Sequence, residues 1–255
     1  MLAIVAAFKE EIGGYLKTGK FRQVASAGFL RFYESPGDPS VVLLDGAIGR
    51  ERAGAATRQM VERYRPDLIV SAGFAGGTRQ GIGPGDLFLC DKVLSIEGPA
   101  ALWEAGSAIE RPLLDMPVAA KIARYLETTG QDYATGSCLS VSELVSGSAM
   151  KAWIGTTFPV NIVDMESYWV CEVASAHAIP HVVVRSVLDP IDQTLPSFVG
   201  KSMGEGGWRR WRRAARYVVT NPSEAPALRS LARQAKVAGA SLGRFLATVA
   251  ASSSA

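Results

Sequence analysis

Apolar, β-branched runs that stop at turn residues recur through the first 190 positions: LAIVAAF from position 2, VVLLDGA from 41, DLIVSAG from 67, DLFLCDKVL from 86, NIVDM from 161 and HVVVRSVL from 181. Their apolar positions are near-continuous instead of alternating, which predicts strands covered on both faces. Between several of them lie segments with helical spacing, at 53–64, 118–130 and 167–178. Strands interleaved with helices predict an α/β fold: one domain with a central mixed, largely parallel sheet flanked by helices. We place the catalytic-type domain at 1–200 and read 201–255 as a basic helical extension packed on it. No fixed-period repeat interrupts this pattern.

Totals alter the picture only locally. The chain has 255 residues, 48% of them apolar, and a formal net charge of +3. Residues 201–255 carry 10 Lys/Arg against 2 Asp/Glu, so the basic character is confined to the tail. Cys90, Cys138 and Cys171 are an odd set without CxxC spacing, which argues against a disulfide framework and fits a reducing cytoplasm. The first apolar run lacks a basic lead and meets Lys9, Glu10 and Glu11 at once, so it reads as a strand and not as a signal peptide. Two histidines and no zinc spacing leave little material for a metal site.

In open α/β sheets, ligands bind beyond the carboxyl ends of the strands. Those ends read FKEE, DGAIGR, SAGFAGG, VDMES and VVVRSVLD. They bring three acids, Glu11, Glu166 and Asp189, together with bare backbone at Gly73, Gly76 and Gly77, and all are expected on one side. Each has a plainer reading. Glu11 alone is a solvated helix start, GFAGG alone a close packing turn, and Asp164 a cap for the helix near Ser167. Arg185 is sharper, because an arginine within an apolar strand requires a buried acid; a purely structural ion pair satisfies that too. His177 and His181 fall at the opposite edge of the sheet from Asp189.

The run LLDGAIGRERAGAATRQMVERYRPDLIVSAGFAGG with GIGPGDLFLCDKV, then VDMESYWVCEVASAHAIPHVVVRSVLDPIDQ, resembles the nucleoside phosphorylase superfamily, most of all the branch holding methylthioadenosine/S-adenosylhomocysteine nucleosidase. Within it, DPIDQTLPSFVG and the basic C-terminal segment look like the hopanoid-associated phosphorylase group, linked to removing adenine from adenosylhopane. The resemblance implies cleavage of a purine nucleoside, no cofactor beyond phosphate as an optional co-substrate, and a homo-oligomer, dimer or larger. It implies Asp189 as the acid at purine N7 and Glu166 with Met165 at the ribose. Glu11 activates water or orders the ribose end, and Arg185 positions Glu11. Ile48, Phe74, Ala75, Gly76 and Leu144 line the base and sugar pocket. Two positions depart from the pattern: Leu188 replaces a serine before the aspartate, and Phe74 replaces a small hydroxyl residue.

Breaking an N-glycosidic bond puts positive charge on the sugar and negative charge on the leaving base, so a neutral carboxyl at the base and an ionised one at the sugar suit it. Leu188, Val187 and Pro190 are expected to desolvate Asp189. The nucleophile stays open: the Gly73–Gly77 amides with Arg50 or Arg79 would suit phosphate, the nearest motifs suit water. The segment 95–112 is a candidate flap over the 5′ end, with Trp103 lining it or packing. WRRWRRAARYVV, 208–219, spaces Trp208, Trp211, Ala215 and Val218 along one helical face. That face docks on the core or touches a membrane surface; nucleic-acid binding fits less well, because the aromatics do not interleave with the basic residues. A pocket that binds nucleoside without turnover is a further alternative.

Overall fold

The computed structural model describes residues 1–35, 40–112, 116–196, 198–199, 217 and 220–253. The expected strands form β1 (Leu2–Val5), β4 (Val41–Asp45), β5 (Leu68–Gly77), β6 (Leu87–Ile96), β9 (Ile162–Asp164) and β10 (His181–Asp189). The expected helices form α2 (Gly49–Tyr64), α3 (Met116–Thr129) and α5 (Ser167–Ala176). Four strands and two helices were not legible in the apolar pattern. They are β2 (Arg22–Ala27), β3 (Leu30–Glu34), β7 (Ile109–Pro112) and β8 (Ala134–Val141), with α1 (Lys9–Thr18) and α4 (Ser148–Thr157); α6 (Ala225–Ser253) falls within the helical extension expected over 201–255. The segment RQVASA of β2 is an outer strand with little to bury, and ATGSCLSV of β8 is broken by Thr, Gly and Ser.

All ten strands join one mixed sheet, but fewer pairings are parallel than the pattern suggests: β10–β6, β5–β9, β2–β3, β3–β4 and β6–β7 are antiparallel. The ten-residue β5 organises it. Along one edge β5 runs parallel to β10 from Ile69 to Gly76. Along the other it pairs first with β1, through Ser71, and then with β9, at Gly76 and Gly77. Strands β5, β10, β6, β8 and β9 thereby close into a ring, while β1, β4, β3 and β2 continue the sheet outward from the first half of β5. Among the described residues the second edge has no strand partner between Ser71 and Gly76.

Apolar side chains cover both faces. One core joins the sheet to α2 and α5 through Met60, Trp169 and Val170; another joins it to α1, α3 and α6 through Ile12, Leu126 and Phe245. A third gathers Ile154, Phe158 and Trp103. Trp103 is packed there, 5% exposed, with its Nε1 donating to the Gly98 carbonyl, so the lining role offered for it is not the one it takes. The segment 95–112 also holds a short 3-10 turn and β7, which pairs with β6. The helix expected over 208–219 lies outside the described residues apart from Tyr217.

Helix α6 crosses α1 at glycines: a Cβ on Gly14 would lie 3.2 Å from the Gly239 carbonyl oxygen, and one on Gly243 would lie 3.2 Å from Gly14 Cα. Helix α4 seats on the end of β5 the same way, since a Cβ at Gly155 would lie 2.2 Å from the Thr78 carbonyl oxygen. Backbone there cannot yield cheaply, so Gly155→Ala is expected to destabilise the fold by about 1–3 kcal/mol in urea unfolding. Gly83→Ala, where an added Cβ meets nothing within 4 Å, is the control; equal losses in both variants would contradict this packing.

Candidate active site

Glu11 stands in the first turn of α1, where a carboxylate commonly reaches back to the free amides of the helix start. Its Oε2 accepts from Ala7 N (2.9 Å) and Phe8 N (2.8 Å). Its Oε1 accepts from Phe74 N at 2.8 Å. Phe74 belongs to the unpartnered stretch of β5, so the carboxylate takes a backbone donor that an adjoining strand would otherwise use. Glu11 is 2% exposed. Burial raises its pKa to about 7, against the lowering effect of the amides and of the Arg185 charge.

Arg185 does not grip Glu11, contrary to expectation. Its Nε donates to Asp164 Oδ2 at 2.7 Å, and its Nη atoms donate to Ser71 O, Val184 O and Ser71 Oγ at 2.8–2.9 Å. The physical reason is proximity: β9 runs antiparallel beside β5 and brings Asp164 to the arginine. Asp164 does cap Ser167 N, at 3.0 Å, but it also accepts from Ser140 Oγ at 2.6 Å. Its pKa is lowered, with Arg185 and the serine hydroxyls overcoming burial. Gly73 leaves the room between the two systems, since a Cβ there would lie 3.1 Å from Glu11 Oε1 and 3.4 Å from Arg185 Cζ.

Glu166 follows β9 and arrives beside Glu11 because that strand runs against β5, not because all strand ends point one way. Its Oε1 accepts from Gly49 N (2.8 Å) at the start of α2, where Gly49 has the positive φ of 72° that favours glycine. Glu166 is crowded by protein yet retains a solvent-facing part. Burial first, then the charges of Asp164 and Glu11, push its pKa up to about 8. Met165 and Ile48 are half-buried next to these groups in sequence, and Ala75 is buried in the core. Phe74 contributes its amide; its ring packs toward Gly239 of α6 and the core beneath it.

Asp189 ends β10 at 4% exposure. Its surroundings are not purely apolar: Lys151 of α4, fully buried, donates to Asp189 Oδ2 at 2.7 Å. Burial still raises the Asp189 pKa, with Lys151 opposing. Gly76 makes space for both, a Cβ there lying 3.5 Å from Asp189 Oδ2 and 3.6 Å from Lys151 Cδ. Sequence reading missed Lys151. Its signal was a lone cation at i−3 and i−4 from Ile154 and Gly155, on the buried face of α4. Leu144 lies in the loop before α4, whose Ser146 carbonyl accepts from Leu195 N at 2.8 Å, next to the strap that follows Asp189. Among the described residues no group of three or more His, Cys, Asp or Glu is arranged to hold a metal.

The sequence model described as the phosphorylase superfamily matches residues 1–209. The chain belongs to that superfamily. Curated relatives are similarly placed: the 5′-methylthioadenosine/S-adenosylhomocysteine nucleosidase of Glaesserella parasuis is 28% identical over 202 residues, covering 75% of this chain and 86% of the relative. The enzyme of the same name from Staphylococcus aureus is 24% identical over 198 residues, covering 74% and 86%. In solved structures the fold recurs in futalosine hydrolase of Helicobacter pylori, with TM-score 0.73, 17% identity and coverage of 97% and 96%. It recurs also in the nucleosidase of Neisseria meningitidis bound to methylthio-immucillin-A, with TM-score 0.72, 21% identity and coverage of 97% of each chain. At these identities the solved structures establish the fold alone.

Within this superfamily member, Glu11 is a carboxyl whose folded pKa, about 7, exceeds the ordinary 4.5. The folded state then holds a proton that the unfolded chain has released, so stability falls as pH rises from about 4.5 to about 7. Glu11→Gln removes this dependence. Its urea stability relative to wild type is expected to improve by roughly 3 kcal/mol between pH 5 and pH 8; a difference that stays constant across that range contradicts a proton held at Glu11.

Proposed function

We propose that this chain hydrolyses the N-glycosidic bond of a purine nucleoside, with Glu11 activating water, Glu166 holding the ribose hydroxyls and Asp189 meeting the departing base. One observation carries the reading: the Glu11 carboxylate sits in the open edge of β5 and takes the Phe74 amide. An anion seeking that amide would have to displace a carboxylate and lie beside a second one. The cations considered for phosphate are engaged elsewhere. Arg50 pairs with Glu97 and lies over Trp169, and Arg79 donates to the Val160 and Gly155 carbonyls. Arg185 serves Asp164. Water fits this site better than phosphate.

The chemistry follows from the charges. As the bond to the base lengthens, the sugar becomes cationic, and Glu11, ionised above about pH 7, stabilises it and takes a proton from the attacking water, while Glu166 holds the ribose hydroxyls. Burial of Asp189 favours its neutral form, which donates to the base as negative charge gathers there. None of these steps calls for a cofactor. The relatives named as methylthioadenosine/S-adenosylhomocysteine nucleosidases support adenine as the base and a 5′-modified ribose as the sugar.

Adenine release from adenosine, methylthioadenosine, S-adenosylhomocysteine and adenosylhopane, each with and without phosphate, tests this. Free ribose-containing product at rates independent of phosphate is expected, and the preferred substrate fixes the 5′ substituent. Asp189→Asn is expected to lower kcat about 10²–10⁴-fold. A sugar 1-phosphate product overturns hydrolysis; tight binding without release makes the chain a nucleoside-binding protein. In kcat/KM, activity is expected to fall below about pH 7 as Glu11 takes up its proton, and Glu11→Gln is expected to abolish both the activity and that limb.

A further inference from the structure

Lys151 is the one participant in this region that no role above absorbs. Its side chain has no exposure, and all three ammonium donors are taken: Asp189 Oδ2 at 2.7 Å, Pro190 O at 2.5 Å and Gln193 O at 2.6 Å. An ammonium is costly to bury, and a single carboxylate would satisfy it only in part. Here it binds the end of β10 and two carbonyls of the strap beyond it in a single clasp. The strap is held from the far side too, where the Gln193 and Gln234 side-chain amides exchange hydrogen bonds at 3.1 and 2.6 Å, tying it to α6.

We propose that Lys151 is the positioning residue of the acid: by occupying Oδ2 and fixing the strap at Pro190 and Gln193, it leaves Oδ1 of Asp189 as the oxygen presented to the leaving base. The inference rests on the role proposed for Asp189. Among the described residues no other charged side chain bonds to Asp189. From β5, Gly76 lies beside it, Asp192 of the strap is exposed, and the Asp86 carboxylate, before β6, accepts from Gly83 N. Among the described residues Lys151 is therefore the charged partner that bears on how readily Asp189 ionises. Its positive charge opposes the effect of burial, so its removal moves Asp189 toward the neutral form.

Lys151→Gln keeps a donor without the charge, and Lys151→Met removes both. The test follows the Asp189 carboxyl by ¹³C NMR titration in the full chain, with its resonance identified by its loss in Asp189→Asn, alongside kcat and KM for adenine release from methylthioadenosine. In Lys151→Gln the Asp189 midpoint is expected to move up by at least one pH unit, and kcat to fall at least tenfold with KM within threefold of wild type. Lys151→Met, if it folds, is expected to show the larger change in both. Gln234→Ala loosens the strap without touching the charge and is expected to leave the midpoint in place. An unmoved midpoint in Lys151→Gln overturns the proposal, as does a moved midpoint with kcat intact. A wild type that shows the expected titration but releases no base from any nucleoside overturns the proposed function instead, leaving the electrostatic pairing standing.

Discussion

Strand β5 cannot keep one neighbour along its whole second edge, because β1 ends where the ring begins and β9 joins only at the last two residues. A backbone amide in the interval needs an acceptor, since a buried and unpaired donor is expensive. Glu11 answers that need at Phe74. The requirement of the backbone and the location of the Glu11 carboxyl are one constraint. The glycines of β5 follow from it, because a side chain at Gly73 would crowd the Glu11 carboxylate and one at Gly76 would lie against the Asp189 carboxylate.

The charges divide into two kinds of environment. Arg185 and Asp164 neutralise each other and are saturated by serines and carbonyls, which makes them a framework. Glu11 and Glu166 have amides but no bonded cation, and their pKa values rise accordingly. Asp189 lies between these cases, buried but paired. Three carboxyls of one site thus differ in readiness to give up a proton through differences in neighbours alone, as division of labour between acid and base requires. Interaction between Glu11 and Glu166 means that they titrate as a pair.

The fold was legible where apolar runs were long: six strands and three helices stand where the pattern put them. It was not legible where a strand carries Ser and Thr into the core, as β8 does with Ser140, or where an outer strand has one face to bury. The acids Glu11, Glu166 and Asp189 could be singled out because each ends an apolar run, a local signal. Which acid meets which base is set by strand direction, and that is non-local. Arg185 was rightly read as needing a buried acid, but only the antiparallel course of β9 reveals that Asp164 supplies it. Lys151 was hidden because a lysine in a helix is ordinarily solvated.

Helix α6 touches α1, which carries Glu11, and through Gln234 it holds the strap behind Asp189. Both ends of the candidate site are therefore gauged against the same rod, although the two halves of the contact lie at opposite ends of the sequence. A fragment cut at residue 209, the limit of the superfamily match, would keep every acid and still lack the surface that spaces them. The structural unit that holds these three acids is larger than the stretch by which the family is recognised.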